Sequence, residues 1–202
     1  MQTINKSLVK NTFTYTWFIY PIAAVLLSLI WLWSFPLAHA PSEREKIEMF
    51  IYADVISEKF ADNILKKYDR EKLRAINMDY TASMGATEKI RMGFTRCDMM
   101  ILPQGTYLSN KSAYSDVFAE INPYIQEKCQ IDSSLVVEDY GILLKAANTH
   151  HYLSEFIKFD SSIDYVITFL ARSKNLGAAF DENNAKYDNA LTVAHYLIEG
   201  VE

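Results

Sequence analysis

The sequence predicts an α/β fold: a single N-terminal transmembrane helix followed by one three-layer α/β lobe. Residues 13–35 carry no charged side chain, and over residues 46–102 apolar runs of strand length alternate with segments of helical periodicity. Such alternation is the pattern of a parallel sheet whose strands are joined by right-handed helical crossovers. We therefore assign a cytoplasmic tail to residues 1–12, the transmembrane helix to residues 13–35, a linker to residues 36–45 and the α/β domain to residues 46–202.

The uncharged segment is long enough, as a helix, to cross about 30 Å of hydrocarbon. A buried helix of a soluble protein rarely runs this far without a charge. The tryptophans of the chain lie inside the segment and near its ends, where interfacial aromatic side chains are common; they are Trp17, Trp31 and Trp33. The segment therefore predicts a protein of the cell membrane that crosses it once.

The charges around the span predict which side the domain occupies. Lys6 and Lys10 precede it, and no acidic residue occurs before Glu43. The positive-inside rule then places the tail in the cytoplasm and the domain outside it. The alternative is a cleaved signal peptide, because residues 38–40 (Ala-His-Ala) have the small-x-small form of a processing site. The long apolar run and Pro41, directly after that site, favour an uncleaved signal anchor.

The composition excludes some partners and leaves the state of the cysteines open. The chain has a formal net charge of −5 and no concentrated basic cluster, so we expect no nucleic-acid partner. Cys97 and Cys129 do not form a CxxC pair, which removes support for redox or zinc-knuckle chemistry. Outside the cytoplasm they could form one disulfide, worth roughly 3 to 4 kcal/mol in the chain-entropy model. Two unconnected buried thiols are an equally open alternative.

The first half of the domain predicts alternating strands and helices. Residues 81–85 are small and predict a turn, after which Ser83 or Thr87 could cap a short helix. The first and third strand segments are mainly apolar, the second alternates only partly, and the helical segment 55–69 has charges between its apolar positions. In chain order the strands and helices are residues 46–53 (strand), 55–69 (helix), 73–80 (strand), 86–94 (helix) and 97–102 (strand, closed by Pro103).

The second half is less regular but predicts the same class of fold. A helix over residues 114–129 should be interrupted at Pro123. The remaining segments are residues 135–146 (two short strands), 152–159 (helix), 163–170 (strand) and 184–199 (closing amphipathic helix). With no internal repeat or interdomain linker, these segments predict one mixed α/β domain.

Several of these segments together resemble one lobe of a known family. Residues 46–69 (KIEMFIYADVISEKFADNILKKYD), 85–93 (GATEKIRMG) and 97–103 (CDMMILP) resemble the first lobe of the extracellular solute-binding proteins of ABC importers. That family has the two-lobed periplasmic-binding fold. Residues 139–146 (DYGILLKA) resemble its strands that return to the first lobe. Residues 163–177 (IDYVITFLARSKNLG), followed by residues 189–200 (NALTVAHYLIEG), resemble its closing strand and helix.

The resemblance implies a function, with one departure from the family. Solute-binding proteins hold their ligand between two lobes, but residues 145–162 are too few for a second lobe, since a domain usually needs about 50 residues or more. We therefore expect a membrane-anchored extracytoplasmic solute-binding-like protein, associated with an ABC-type importer. Its implied partners are the permease or a full-length solute-binding protein, and a small polar solute. The alternative is an assembly subunit of a transporter complex that has lost solute binding.

The candidate ligand-binding residues follow from the predicted sheet. Ligands bind beyond the carboxyl ends of parallel strands, where the sequence places Asp54, Tyr80, Thr81, Ser83 and Gln104. Asp54 could accept hydrogen bonds from a sugar or an amine, and Tyr80 could stack on one. The alternatives are that Asp54 caps the helix after it and that Tyr80 packs at a strand end.

Catalytic and metal-binding patterns have no support in the sequence. It contains no GxSxG elbow and no glycine-rich phosphate loop. The adjacent His150 and His151 lack a companion at metal-ligand spacing. We therefore expect a protein that is not an enzyme and needs no cofactor or metal.

Overall fold

The computed structural model describes residues 17–68, 72–81, 86–144, 156–160, 162–177 and 188–199. The chain divides into two units, Met1–Ala40 and Pro41–Glu202.

The first unit contains the helix α1 (Ile19–His39). Its length and its hydropathy of 1.9 are sufficient to cross a membrane, as in a membrane anchor or a signal sequence. None of its residues is buried. The helix ends at His39 rather than at Phe35, where the predicted span ends, because residues 36–39 are also uncharged and include the good helix formers Leu37 and Ala38.

The second unit is built on a mixed six-stranded sheet. Its strands are β1 (Lys46–Ile51), β3 (Ala75–Tyr80), β4 (Met99–Pro103), β5 (Val136–Val137), β6 (Gly141–Leu144) and β8 (Tyr165–Phe169), in the order β3-β1-β4-β8-β6-β5. β1 pairs in parallel with β3 and β4, whereas β8 is antiparallel to both β4 and β6. The parallel arrangement predicted for the first half of the domain is therefore confirmed for β1, β3 and β4.

Helices lie against both faces of the sheet. Because successive strand residues face opposite sides, Ile101 of β4 packs in one hydrophobic cluster and Leu102 in the other. The helices are α2 (Lys59–Lys67), α3 (Ala86–Arg96), α4 (Gln104–Leu108), α5 (Tyr114–Val117), α6 (Pro123–Cys129) and α7 (Asn189–Glu199), with 3₁₀ turns at Lys111–Ala113 and Ser133–Leu135. The first cluster includes residues of α2, α6 and α7, and the second includes residues of α3, α4 and α5.

A second, two-stranded sheet occupies positions where the sequence predicts helix. β2 (Val55–Ile56) pairs antiparallel with β7 (Ile157–Lys158), and the Ser57 N–H donates to the Phe156 carbonyl at 2.7 Å. The helical prediction is therefore wrong for both strands. The branched side chains of Val55, Ile56 and Ile157 favour extended backbone, and the pairing supplies its hydrogen bonds. Residues 152–155 lie outside the described residues.

The chain between β4 and β6 follows the predicted breaks. The helical segment divides before Pro123, and the Asn122 side chain accepts a hydrogen bond from the Ile125 N–H at 3.0 Å, capping α6. β5 and β6 form a hairpin whose turn places Glu138 and Asp139 at φ of 52° and 61°. The two short strands predicted here are confirmed.

Candidate functional site

The carboxyl ends of β1, β3 and β4 lie along one edge of the sheet, which we call the carboxyl edge. Ile51 of β1 is opposite Tyr80 of β3 on one side and Ile101 of β4 on the other. Open α/β sheets bind ligands beyond this edge. Of the predicted ligand-binding residues, Ser83 lies outside the described part of the chain; those at the edge are Asp54, Tyr80, Thr81 and Gln104.

Asp54 is exposed and is the third residue after the end of β1. The interpretation of Asp54 as a helix cap is wrong, because α2 begins at Lys59 with Glu58 at its N-cap position. Asp54 instead lies near Tyr165 at the start of β8. Burial is the main cause that raises the pKa of the Tyr165 hydroxyl, and the charges of Asp160 and Asp54 raise it further.

Of the other three residues, Tyr80 has an exposed side chain, whereas Thr81 and Gln104 form hydrogen bonds through their backbone N–H groups. The Tyr80 side chain is 42% exposed, so it is available to a ligand or a partner. Thr81 is buried, and its N–H donates to the Ile51 carbonyl at 3.4 Å. The Gln104 N–H donates to the Asp164 carbonyl at 2.8 Å. Asp54 and Tyr80 therefore form the open part of the predicted site.

The turn before β8 also reaches the carboxyl edge, which the sequence did not predict. Tyr165 is opposite Pro103 of β4, and its hydroxyl accepts a hydrogen bond from the Asp160 N–H at 3.1 Å. The ring of Phe159 packs on Tyr165 with a centroid distance of 4.5 Å. The antiparallel entry of β8 beside β4 brings these residues in, and a short strand carries no local signal of its pairing partner.

The opposite edge of the sheet holds a cavity of about 240 Å³ at the amino ends of β1 and β4. Asp98 lies in its wall and is buried, with one carboxylate oxygen accepting from the Glu48 N–H at 2.9 Å and the other from the Ser173 hydroxyl at 2.6 Å. Burial raises the pKa of Asp98, and these hydrogen bonds act in the opposite direction. Because both oxygens have partners, Asp98 joins β1 to the segment after β8 instead of facing a ligand.

Three of the basic residues that line this cavity are also bonded within the protein, and Arg96 is a further basic residue of its wall. Lys46 Nζ lies 3.2 Å from Glu48 Oε1, and Lys174 forms an ion pair with Glu43. Arg172 donates to the Phe94 carbonyl in the last turn of α3, where a cation complements the helix dipole. These contacts give Lys46, Arg172 and Lys174 a structural role.

Two buried asparagines fix the segment that leads into β1; we call them the asparagine clamp. Asn175 Nδ2 donates to the carbonyls of Glu43 at 3.1 Å and Lys46 at 2.8 Å. Asn189 Nδ2 donates to the carbonyls of Arg44 at 2.8 Å and of Lys72 at 2.9 Å. The clamp was missed because single asparagines in a sequence give no sign of which distant carbonyls they meet.

The two cysteines are free thiols, so the disulfide alternative is wrong. Cys129 belongs to the hydrophobic cluster that contains α6 and α7, and Cys97 packs against the cluster on the other face of the sheet. Burial raises the pKa of each thiol to about 12. Since the thiolate is the nucleophile, neither cysteine is activated near neutral pH.

Among the described residues, no group of three or more His, Cys, Asp or Glu side chains could hold a metal ion. The pair His150–His151 lies outside those residues.

Fold and site together define a mixed α/β domain that follows an N-terminal apolar helix, with an acidic and aromatic carboxyl edge. Comparison with protein families, curated proteins and solved structures finds no match.

Proposed function

We propose that this protein is a membrane-anchored, extracytoplasmic, non-enzymatic binding protein that resembles one lobe of a solute-binding protein and works with an ABC-type importer. The observation that supports this most is the carboxyl edge, where Asp54 and Tyr80 are open to solvent beside three parallel strands. Ligands bind at this position in open α/β sheets.

The length of the crossover between β6 and β7 supports a binding surface with one wall. The chain passes from Leu144 at the end of β6 to Ile157 at the start of β7, and a second lobe would need about 50 residues or more. A solute at the carboxyl edge would therefore be covered by another chain. This favours, as a second candidate, an assembly subunit of a transporter complex that has lost solute binding.

Copurification from detergent-solubilised membranes tests the importer association. A tagged full-length chain should retain permease or solute-receptor subunits after washing. If the tagged chain is recovered without transporter subunits, from membranes that contain the importer, the association is refuted.

Calorimetry separates the two candidates. Small ligands gain at most about 1.5 kcal/mol per non-hydrogen atom and much less when half exposed, so sugars or amines should bind no tighter than the high-micromolar range. Asp54→Ala should abolish any heat of binding, and Asp116→Ala, an exposed site on α5, should not. Submicromolar binding to the monomer would contradict the one-wall surface, and no binding at all would favour the assembly subunit.

A further inference from the structure

The exposed apolar side chains of the domain concentrate at the carboxyl edge. Among the described residues after α1, the large hydrophobic side chains that remain exposed are Val55 (54%), Tyr80 (42%), Met92 (45%) and Ile163 (37%). Met92 lies on α3. Val55, Tyr80 and Ile163 all lie at the carboxyl edge, and we call them the edge patch.

The three residues end, follow or precede strands that reach the carboxyl edge. Tyr80 ends β3, Val55 begins β2 shortly after β1, and Ile163 precedes β8. β3 and β8 are separated by β1 and β4, and neighbouring strands lie about 4.8 Å apart, so the end of β3 and the start of β8 are about 14 Å apart. Protein interfaces have an apolar centre surrounded by polar residues.

The surroundings of the edge patch are acidic. Asp54 precedes Val55, and Asp160 and Asp164 lie on either side of Ile163; all three are exposed. Hydrogen bonds from Ser162 hold the pKa of Asp160 below its usual range, so this carboxylate stays charged. Lys158, opposite Val55 in the β2–β7 pair, is a neighbouring cation. Among the described residues next to Val55 and Ile163 in sequence or in the β2–β7 pair, these three carboxylates therefore outnumber that cation.

This charge distribution distinguishes the possible occupants. An anionic membrane surface attracts basic segments and would be repelled by the three aspartates. A second copy of this chain would place the same aspartates opposite each other, and like charges across an interface strongly disfavour association. A protein surface with an apolar centre and a rim of Lys or Arg is attracted by the aspartates and is not repelled in either way.

We propose that the edge patch is the docking surface for a protein partner that presents apolar side chains surrounded by Lys or Arg. This inference rests on the proposed function and specifies the chemistry of the partner that covers the carboxyl edge. Val55, Tyr80 and Ile163 insert into the partner's apolar centre, and Asp54, Asp160 and Asp164 pair with its basic rim.

Site-specific photocrosslinking in membranes tests the proposal on the full chain. A photoreactive phenylalanine analogue is placed at Val55, Tyr80 or Ile163, and at Met92 as the matched control with similar exposure. Crosslinks to one partner protein, identified by mass spectrometry, should form at the edge patch and be at least several-fold weaker at Met92. Equal yield at Met92, or crosslinks to lipid or to a second copy of this chain, would overturn the proposal.

Charge reversal tests the basic rim. In the Tyr80 crosslinking chain, the double change Asp54→Lys and Asp164→Lys should reduce the crosslink at least about tenfold, because like charges then face each other. Added salt should weaken the unmodified interaction. Asp116→Lys, on α5, is the control and should leave the yield unchanged. A yield insensitive to the double change, in a variant with an unaltered melting temperature, refutes the acidic rim.

The two proposals fail in different ways. If the partner crosslinked at the edge patch belongs to no transporter, the importer association fails and the docking surface stands. If transporter subunits copurify but crosslink at Met92 and not at the edge patch, the association stands and the docking surface fails.

Discussion

Single side chains at the amino end of the sheet fix its first strand. Asn175 is fully buried and donates two hydrogen bonds to backbone carbonyls before and at the start of β1. A buried carbonyl oxygen that loses its donor is left without a hydrogen bond, because water does not reach it, and this costs free energy. The asparagine clamp therefore stabilises the segment 43–46 against the rest of the domain.

Replacing Asn175 by Ala should destabilise the domain by about 1 to 3 kcal/mol, because the carbonyls of Glu43 and Lys46 lose their donor. Urea unfolding followed by circular dichroism measures the change. The control is Asn77→Ala, an exposed asparagine that bonds the Glu48 side chain at 2.8 Å, which should change stability by no more than about 0.5 kcal/mol. Equal effects at the two positions would contradict a structural role for the clamp.

The cysteines should behave as protonated, separate thiols. Because burial raises the pKa of Cys97 and Cys129 to about 12, an alkylating reagent at pH 8 should label the native protein slowly. Both thiols should label at once in denatured protein without a reductant. Labelling that requires reduction would show a disulfide and contradict the structure.

The raised pKa of Cys129 also predicts how the free energy of unfolding changes with pH. The folded-state pKa is above the unfolded value of about 8.5, so this contribution to stability is complete below that pH. It is lost as pH rises towards about 12. Unfolding free energy should therefore fall above pH 9, and should fall less in Cys129→Ala than in the unmodified chain. Parallel pH profiles for the two chains would contradict this.

At the scale of elements, the packing of β6 beside β8 and the Tyr107 ring depends on glycine at position 141. A Cβ at Gly141 would lie 2.4 Å from Val166 Cγ1 and 3.0 Å from Tyr107 Cζ. β6 pairs with β8 through this position, since Gly141 is opposite Thr168. Neither the Tyr107 ring nor the strand can move without disturbing the buried cluster around them.

Gly141→Ala should destabilise the domain by about 1 to 3 kcal/mol through this overpacking. The matched control is Gly105→Ala in α4, where a Cβ meets nothing within 4 Å. It should be neutral or stabilise the helix by up to about 1 kcal/mol. Thermal unfolding of the two variants is the measurement, and a neutral Gly141→Ala would refute the packing argument.

The elements show how far sequence reasoning reaches. Strands β1, β4 and β8 have apolar runs and β3 has partial alternation, so the sequence predicts all four, and with them the residues at the carboxyl edge. β2 and β7 are two residues each, too short for a periodic signal, and their pairing comes from tertiary contacts. The contacts of Asp98 with Glu48 and Ser173 join segments far apart in sequence, so no local pattern could predict them.

For the whole molecule, the charge-free segment and the lysines before it predict an uncleaved anchor with the domain outside the cytoplasm. Protease added to intact spheroplasts should digest residues 46–202, while a cytoplasmic marker protein stays intact. Protection of the domain would reverse the orientation. A mature N-terminus at Pro41 would instead identify α1 as a cleaved signal sequence.

The order of strands in the sheet also has a consequence for synthesis. β4 is buried along its whole length and lies beside β8 in the finished sheet, but β8 is translated much later. Until Tyr165–Phe169 has emerged, one edge of β4 has no neighbour, and an unpaired apolar edge is a template for aggregation. A chain stopped before β8 therefore lacks the strand that joins its two halves, and binding by a chaperone during synthesis would protect β4 in that interval.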